Sequence, residues 1–344
     1  MKTTKPPTQM PRRLQAYLKR KEKPAQPKPN TKYLKKPRGV FYNSQKALCS
    51  IYSSGVMCYD ILKNSTLFNL AYSEQQGGDI DYGADFLIVN YHPAVCSWIS
   101  QNNLNKFKGK TFCIVTEIGL YSSDLAPMNP KIFDHYLLID PTIQETHNMH
   151  AFPRPLMACN VPVHVPSPIP IVGSFGFATE GKNWEKIIDL VYEEFEKAIL
   201  RINVPKGTHV SDEMHNSIIQ NEIIEPSKKL KEKPGIEFEF TSHKFETQQE
   251  IVNWCAQNTI NVFLYNRPNA TGLSAVTDQA IIAERPLLVS NNSTFRHIHP
   301  YIKTFPEIGI KYAIQTTQEG VKTMKTLWSV ANFLHKFEKL FIKV

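Results

Sequence analysis

Glycine and cysteine are scarce: the 344 residues hold 15 glycines and 6 cysteines. With 24 prolines that follow no period, this excludes a collagen-like or low-complexity architecture. No run approaches the roughly 20 apolar residues that a membrane span requires. The opening residues, MKTTKPPTQMPRR, are basic but lack the apolar core of a secretory signal. The cysteines (Cys49, Cys58, Cys96, Cys113, Cys159, Cys255) form no C-x-x-C, and none stands at finger spacing from a histidine pair. Reduced core thiols in a cytoplasmic protein are the expectation.

What is present is a 42% hydrophobic, 21% charged chain, enough for cores in about two domains at roughly 150 residues each. The net charge of +9 is local in origin. Residues 1–38 hold 13 Lys or Arg against Glu22 alone, with seven prolines and no glycine, leaving 27 basic against 30 acidic residues elsewhere. A nucleic-acid-binding body carries its own basic face, and this body has no such excess. The segment 1–38 is expected to be disordered or extended, with Arg12–Lys21 able to form a turn or two of helix on a partner. Either it solubilises, or it tethers the chain to an anionic membrane surface, nucleic acid or an acidic protein.

From Gly39 onward, apolar strands alternate with helices. Strands are read at 39–43, 66–73, 85–92, 110–118 and 135–140, with helices at 54–64, opened by Ser54-Gly55, and at 97–107. After the proline-rich MACNVPVHVPSP, strands follow at 168–176, 200–205, 236–241, 260–266 and 286–290. Helices are read from Trp184 to Ile199, where Ile187, Ile188, Val191, Phe195 and Ile199 form one stripe, and at 248–258 and 274–284. Residues 211–230 are helical or irregular, and the last segment is one or two helices. The class is α/β, as two Rossmann-like, doubly wound parallel-sheet domains over 39–165 and 166–325, followed by a C-terminal helix at 326–344. Ligands bind at the carboxyl ends of such strands, so the site is expected in a cleft between the domains.

Two segments carry candidate chemistry. Gly173 to Lys182, GSFGFATEGK, is a strand, a glycine turn and a lysine before a helix. Small residues (Gly173, Ser174, Gly176, beside Phe175) admit an anion to the backbone, and Lys182 adds a charge beside a helix N-terminus, as a diphosphate site requires. The glycine spacing fits neither the dinucleotide fingerprint nor a Walker loop. The competing reading is a tight turn with a solvated lysine. In Val262 to Ser290 a strand runs through a polar loop into a helix whose first turn is Thr271-Gly272-Leu273-Ser274. Amides at Gly272, Leu273 and Ser274 would point outward, and Asp278 would accept from a ribose diol; the alternative is an N-capped helix with Asp278 in solvent. His92 after strand 85–92 and Glu117 at the end of 110–118 are candidate general bases at the same edge, His92 reading equally as a structural histidine. His297 and His299 stand two apart and are not expected to bind metal; Arg296 either contacts phosphate or closes a helix end.

Taken together, the two segments resemble the C-terminal domain of GT-B glycosyltransferases, especially the retaining, nucleotide-sugar-dependent group 1 kind. The resemblance covers about 160 residues in order, from GSFGFATEGKNW to AERPLLVS. NYHPAV, Asp140 to Pro155, INVFLYN, GLSAVTDQA and FRHI also resemble segments of uncharacterised glycosyltransferase-like proteins. The resemblance implies a hexosyltransferase-like enzyme that moves a sugar from a nucleotide-sugar donor to a glycan, lipid or protein acceptor, with no metal or cofactor. It implies a donor site from Gly173–Gly176, Lys182, Asn269, Thr271–Ser274 and Asp278, with the base near His243 or Phe245. It implies an acceptor side at Ser54, Gly55, His92 and Glu117, and a final helix packed back on the first domain. The glutamate pair of the retaining enzymes is missing: its positions fall at Gln279 and at Thr271 or Asn269. A non-catalytic GT-B module that binds glycan or nucleotide is therefore the alternative. Asp79-Ile80-Asp81 spells the D-x-D of the other glycosyltransferase fold but precedes a strand, which marks it as a loop coincidence.

Overall fold

The computed structural model describes residues 35–44, 50–74, 80–92, 99, 101–116, 132–163, 167–207, 210–268 and 272–344. Pro37–Val344 form one compact unit. Its first sheet is β1 (Arg38–Tyr42), β2 (Asn69–Ser73), β3 (Phe86–Asn90), β4 (Lys110–Val115), β5 (His135–Leu138) and β6 (Met149–Ala151), in the order β2-β1-β3-β4-β5-β6. The second sheet is β7 (Ile171–Phe175), β8 (Ala198–Asn203), β9 (Ile236–Thr241), β10 (Ile260–Phe263) and β11 (Leu287–Val289), in the order β11-β10-β7-β8-β9. All pairings are parallel. The strand order reverses between β1 and β3 in one sheet and between β7 and β10 in the other, which are the two places where such sheets open a crevice.

Period-2 alternation splits each sheet's core into two layers. In β3, Leu87 and Val89 join Val40, Cys113 and Tyr136 on one face, while Phe86 and Ile88 join Phe41, Phe112 and Leu137 on the other. The longer α-helices among the described residues are α1 (Ser50–Leu62), α2 (Trp184–Glu194), α3 (Asp212–Ile219), α4 (Gln248–Gln257), α5 (Val276–Ile282), α6 (Ile310–Thr316), α7 (Gln318–Leu327) and α8 (Val330–Lys343). Local capping starts several of them. Thr247 accepts from the Glu250 amide while the Glu250 carboxylate accepts from Thr247 Oγ1 and the Glu246 amide, and Ser329 caps α8. Helix α8 presents Phe333 and Phe337 to Phe152, Phe68 and Phe112, so the last residues of the chain cover the first sheet.

Several sequence expectations are corrected. The helix read from Trp184 to Ile199 stops at Glu194, because Phe195 is extended (φ −119°, ψ 141°) and Ala198 already pairs in the sheet. Ala198, Leu200 and Ile202 bury in the second sheet's core while Ile199 faces away from it, so strand alternation wins over the helical stripe. Helix α1 begins at Ser50, which places Ser54 and Gly55 inside it rather than at its start. A Cβ on Gly55 would fall 2.1 Å from Asn43 Oδ1. Only glycine lets the helix press on the carboxyl ends of β1 and β3, where Asn90 Nδ2 donates to Asn43 Oδ1 (2.7 Å) and to the Ile51 carbonyl (2.9 Å). The helix read at 97–107 is described only as the turn Gln101–Leu104 and β6 was not anticipated, while the last segment holds two helices, α7 and α8, within the one or two expected.

Two reciprocal ion pairs cross between the halves. Arg154, in the segment after β6, donates to Asp278 of α5 at 2.7 Å. Arg296, beyond β11, bonds Asp140 at the end of β5 at 2.6 Å. Asp140 is fully buried and also accepts from the Thr142 amide and hydroxyl. Removing one partner of such a pair strands a buried charge, which costs about 3–5 kcal/mol. Arg296→Ala should lower the unfolding free energy by that amount, read as a lower denaturant midpoint, and Arg296→Ala with Asp140→Ala should recover part of it; an unchanged midpoint in the single variant would show that the pair carries no weight.

Candidate active site

The loop after β7 lies against the residues after β10. The Asn266 amide donates to the Gly181 carbonyl (2.8 Å), Asn183 Nδ2 to the Leu264 carbonyl (3.0 Å) and Arg267 Nε to the Glu180 carbonyl (2.9 Å). The Arg267 guanidinium also donates to Thr179 Oγ1. Gly181 has φ 75°, and a Cβ there would fall 2.5 Å from the Asn266 carbonyl oxygen, so the close approach needs glycine. These contacts carry Lys182 to the β7/β10 crevice.

Lys182 is 8% exposed, and its Nζ donates to Tyr265 Oη, 4.0 Å from the ring centroid. Burial, and after it the charge of Arg267, pulls the amine down to about 7. No carboxylate among the described residues pairs with it. Tyr265 is itself buried, which pushes its phenol up to about 12, and it takes a hydrogen bond from Ser274. The chain Lys182–Tyr265–Ser274 thus joins the two segments that the sequence singled out. Gly176, at φ 148°, borders the amine: a Cβ there would fall 3.2 Å from Nζ.

Other candidates have different roles. Gly173, Ser174 and Phe175 are strand β7 rather than a turn. A Cβ on Gly173 would strike the Asn258 side chain, and Phe175 packs edge-on against Phe263 and Trp254. The amides opening α2 do not face Lys182, because the Glu222 carboxylate takes the N–H groups of Asn183 and Trp184. Helix α5 starts only at Val276, and the Ser274 amide donates to the Thr294 carbonyl (3.2 Å), so the outward row of amides over Gly272, Leu273 and Ser274 is broken at Ser274. Asp278 is not in solvent and not open to a ribose: Arg154 holds Oδ2, Oδ1 is buried without a partner, and burial raises the carboxyl above its ordinary range. Asn269, Thr271 and Glu117 lie outside the described residues, as does Asp79. Asp81 is bound by Arg38 at 2.7 Å. His92 stands half-buried two residues past Asn90, beyond the carboxyl end of β3.

At the outer strands, Asn203 extends the sheet by donating to the His243 carbonyl (3.0 Å) and accepting from the His243 amide (2.9 Å). The His243 imidazole is exposed and lies edge-on to Phe245 at 5.3 Å. Phe245 adjoins Trp254, over which Arg201 sits at 5.0 Å, giving an aromatic wall beside the ends of β8 and β9. Arg296 contacts Asp140, not a phosphate site. His297 is a buried, uncharged structural histidine, stacked on Trp328 at 5.5 Å and pushed down to about 3 by burial and nearby arginines.

Sequence reading missed Tyr265, Arg267 and Arg154. Tyr265 and Arg267 lie within the quoted segment Val262–Ser290, directly after a buried strand, and that position was the available signal. Arg154 gave none beyond its place in FPRP.

No family model and no curated protein matches the sequence. Solved structures match its fold. HepE from Anabaena in complex with UDP superposes with a TM-score of 0.58 at 8% identity, covering 89% of this chain and 100% of that one. Sucrose-phosphate synthase from Thermosynechococcus elongatus gives 0.58 at 10% identity, covering 90% and 99%. A UDP-forming trehalose-phosphate synthase from Burkholderia xenovorans gives 0.54 at 8% identity, covering 88% and 98%. The fold is therefore GT-B, as expected from the sequence.

A lysine held below its ordinary value destabilises the fold at neutral pH, because the unfolded chain binds that proton more tightly. The cost is full below pH about 7 and fades as pH rises toward the ordinary lysine value near 10. Lys182→Met should therefore raise stability by about 2–4 kcal/mol at pH 7 and remove the rise in wild-type stability between pH 7 and 10. Equal stability-against-pH curves for the two proteins would contradict the buried, uncompensated amine.

Proposed function

We propose that this chain is a glycosyltransferase that takes its sugar from a nucleotide-sugar donor held at the β7/β10 crevice of the second sheet. One observation carries the reading: Lys182, Arg267 and Gly176 converge where the strand order reverses, and Lys182 is a buried cation site with no carboxylate partner among the described residues. An anion fits such a corner. HepE, with the same fold, is described in complex with UDP-glucose. The diphosphate would lie against Gly176, Lys182 and Arg267, and the base against the wall of His243, Phe245 and Trp254. Charge develops on the diphosphate as the sugar leaves, and fixed cations that meet it there stabilise the transition state. With two side-chain cations for this purpose, the reaction is proposed to need no metal. His92, at the carboxyl edge of the first sheet, is the proposed base for an acceptor hydroxyl. The lysine-rich segment 1–36, which ends before Arg38 joins β1, is proposed as a tether to an anionic surface, outside the chemistry.

A second reading, a binding module without turnover, is favoured by the absence of acids at Asn269, Thr271 and Gln279 and by the capture of Asp278 by Arg154. A thermal-shift screen with UDP-, GDP- and ADP-sugars tests both, since a ligand that prefers the native state stabilises it by about 2.7 kcal/mol at a hundredfold excess over Kd. One donor should raise Tm, Lys182→Met should abolish the shift, and deletion of residues 1–36 should leave it intact. Release of nucleoside diphosphate that persists in EDTA and falls at least tenfold in His92→Ala selects the enzyme; a shift without release selects the module. No shift with any donor would remove both.

A further inference from the structure

The most unusual group in the molecule is the Lys182 amine. It lies nine-tenths out of solvent, its hydrogen-bond partner among the described residues is the phenol oxygen of Tyr265, and the charge acting on it is another cation, Arg267. Acids do stand on neighbouring elements, but they face elsewhere. Glu222 turns to the amides of Asn183 and Trp184, and its own charged neighbours are Glu180 and Glu185. On the other side the segment before α5 contributes Ser274, a neutral hydroxyl bound to Tyr265. Every charged group that the described residues aim at the amine is therefore positive.

We propose that burial and the neighbouring Arg267 keep Lys182 a neutral amine above neutral pH in the empty protein, with Tyr265 Oη as its hydrogen-bond partner, and that a diphosphate entering the site supplies the missing counter-charge, so that binding takes up one proton from solvent onto Lys182 Nζ. The inference rests on the donor reading above and deepens it, since it says how occupancy of that site is controlled. The balance is simple: amine, proton and nucleoside diphosphate give ammonium–diphosphate, with no covalent bond made or broken. An empty site then carries one charge fewer in its dry corner, which is cheaper than a lone buried ammonium. An anion within about 4–6 Å reverses the preference. Arg267 acts in the same direction as burial: it opposes protonation when the site is empty and shares the anion when the site is full. Donor affinity would accordingly weaken as pH rises above neutrality, by up to tenfold per unit while the free amine is neutral and the bound one charged.

The test is calorimetric titration of the full chain with UDP, GDP and ADP at pH 8, in buffers of low and high ionisation enthalpy. Proton uptake is read from the dependence of the observed enthalpy on the buffer. The nucleotide that binds should take up close to one proton at pH 8 and about half at pH 7, given an amine that titrates near 7. Lys182→Met should bind more weakly with no uptake, and Arg267→Gln should show less uptake at pH 8 than the wild type because its amine is easier to protonate. Binding without proton uptake at pH 8 overturns the proposal and leaves the donor reading standing. Failure of all three nucleotides to bind overturns the donor reading and the proposal with it. Uptake that persists in Lys182→Met assigns the proton to another group and likewise overturns it.

Discussion

Two buried ion pairs, each with one partner on either half of the molecule, set the frame in which everything else is placed. Arg154 reaches from the first half to Asp278, and Arg296 reaches from the second half to Asp140. Buried pairs of this kind add little net stability over an apolar contact but penalise any arrangement that leaves one charge alone. They therefore specify orientation more than they add strength. Apolar packing of α8 on the first sheet supplies the strength: Phe337 lies 5.3 Å from Phe112, and Phe341 lies 4.9 Å from Phe86. Aromatic contacts tolerate small shifts, whereas a forked guanidinium on a carboxylate does not.

Within that frame, the second sheet brings two loops together by main-chain contacts that need particular residues. Glycine at 181 permits the approach to Asn266, and Asn183 takes up a left-handed conformation (φ 59°) that lets its side chain reach the Leu264 carbonyl. The outcome is a lysine in a dry corner. Burial and Arg267 disfavour a charge there, the Tyr265 ring and phenol oxygen offset this in part, and no carboxylate among the described residues pairs with the amine. The same corner is disfavoured on stability grounds, so fold and chemistry pull in opposite directions at Lys182.

The first half supplies a different kind of edge. Asn43 and Asn90 tie α1 to the ends of β1 and β3, and Gly55 admits them. His92 follows Asn90 by two residues. That edge is tied by hydrogen bonds that run from Asn43 through Tyr72 to the Glu74 carboxylate, which also accepts from Tyr52, while the crevice in the second sheet carries Lys182 and Arg267.

How much of this was written in the sequence follows from the range of the forces involved. Strand and helix alternation is local: runs such as FLIVN and KTFCIV bury on both faces wherever they occur, so the two parallel sheets and their GT-B arrangement were legible. Element ends were less so, because the stripe that continues through Phe195 to Ile199 fits a helix until β7 and β9 pair with it. The partners of the charged residues were not legible at all. Asp278 reads as a ribose ligand or a solvent acid, and Arg296 as a phosphate ligand or the closure of a helix end, until residues more than a hundred positions away arrive beside them. A charge on a sequence has a sign but no environment; burial and the nearest opposite charge decide what it does, and both are set by contacts between distant segments.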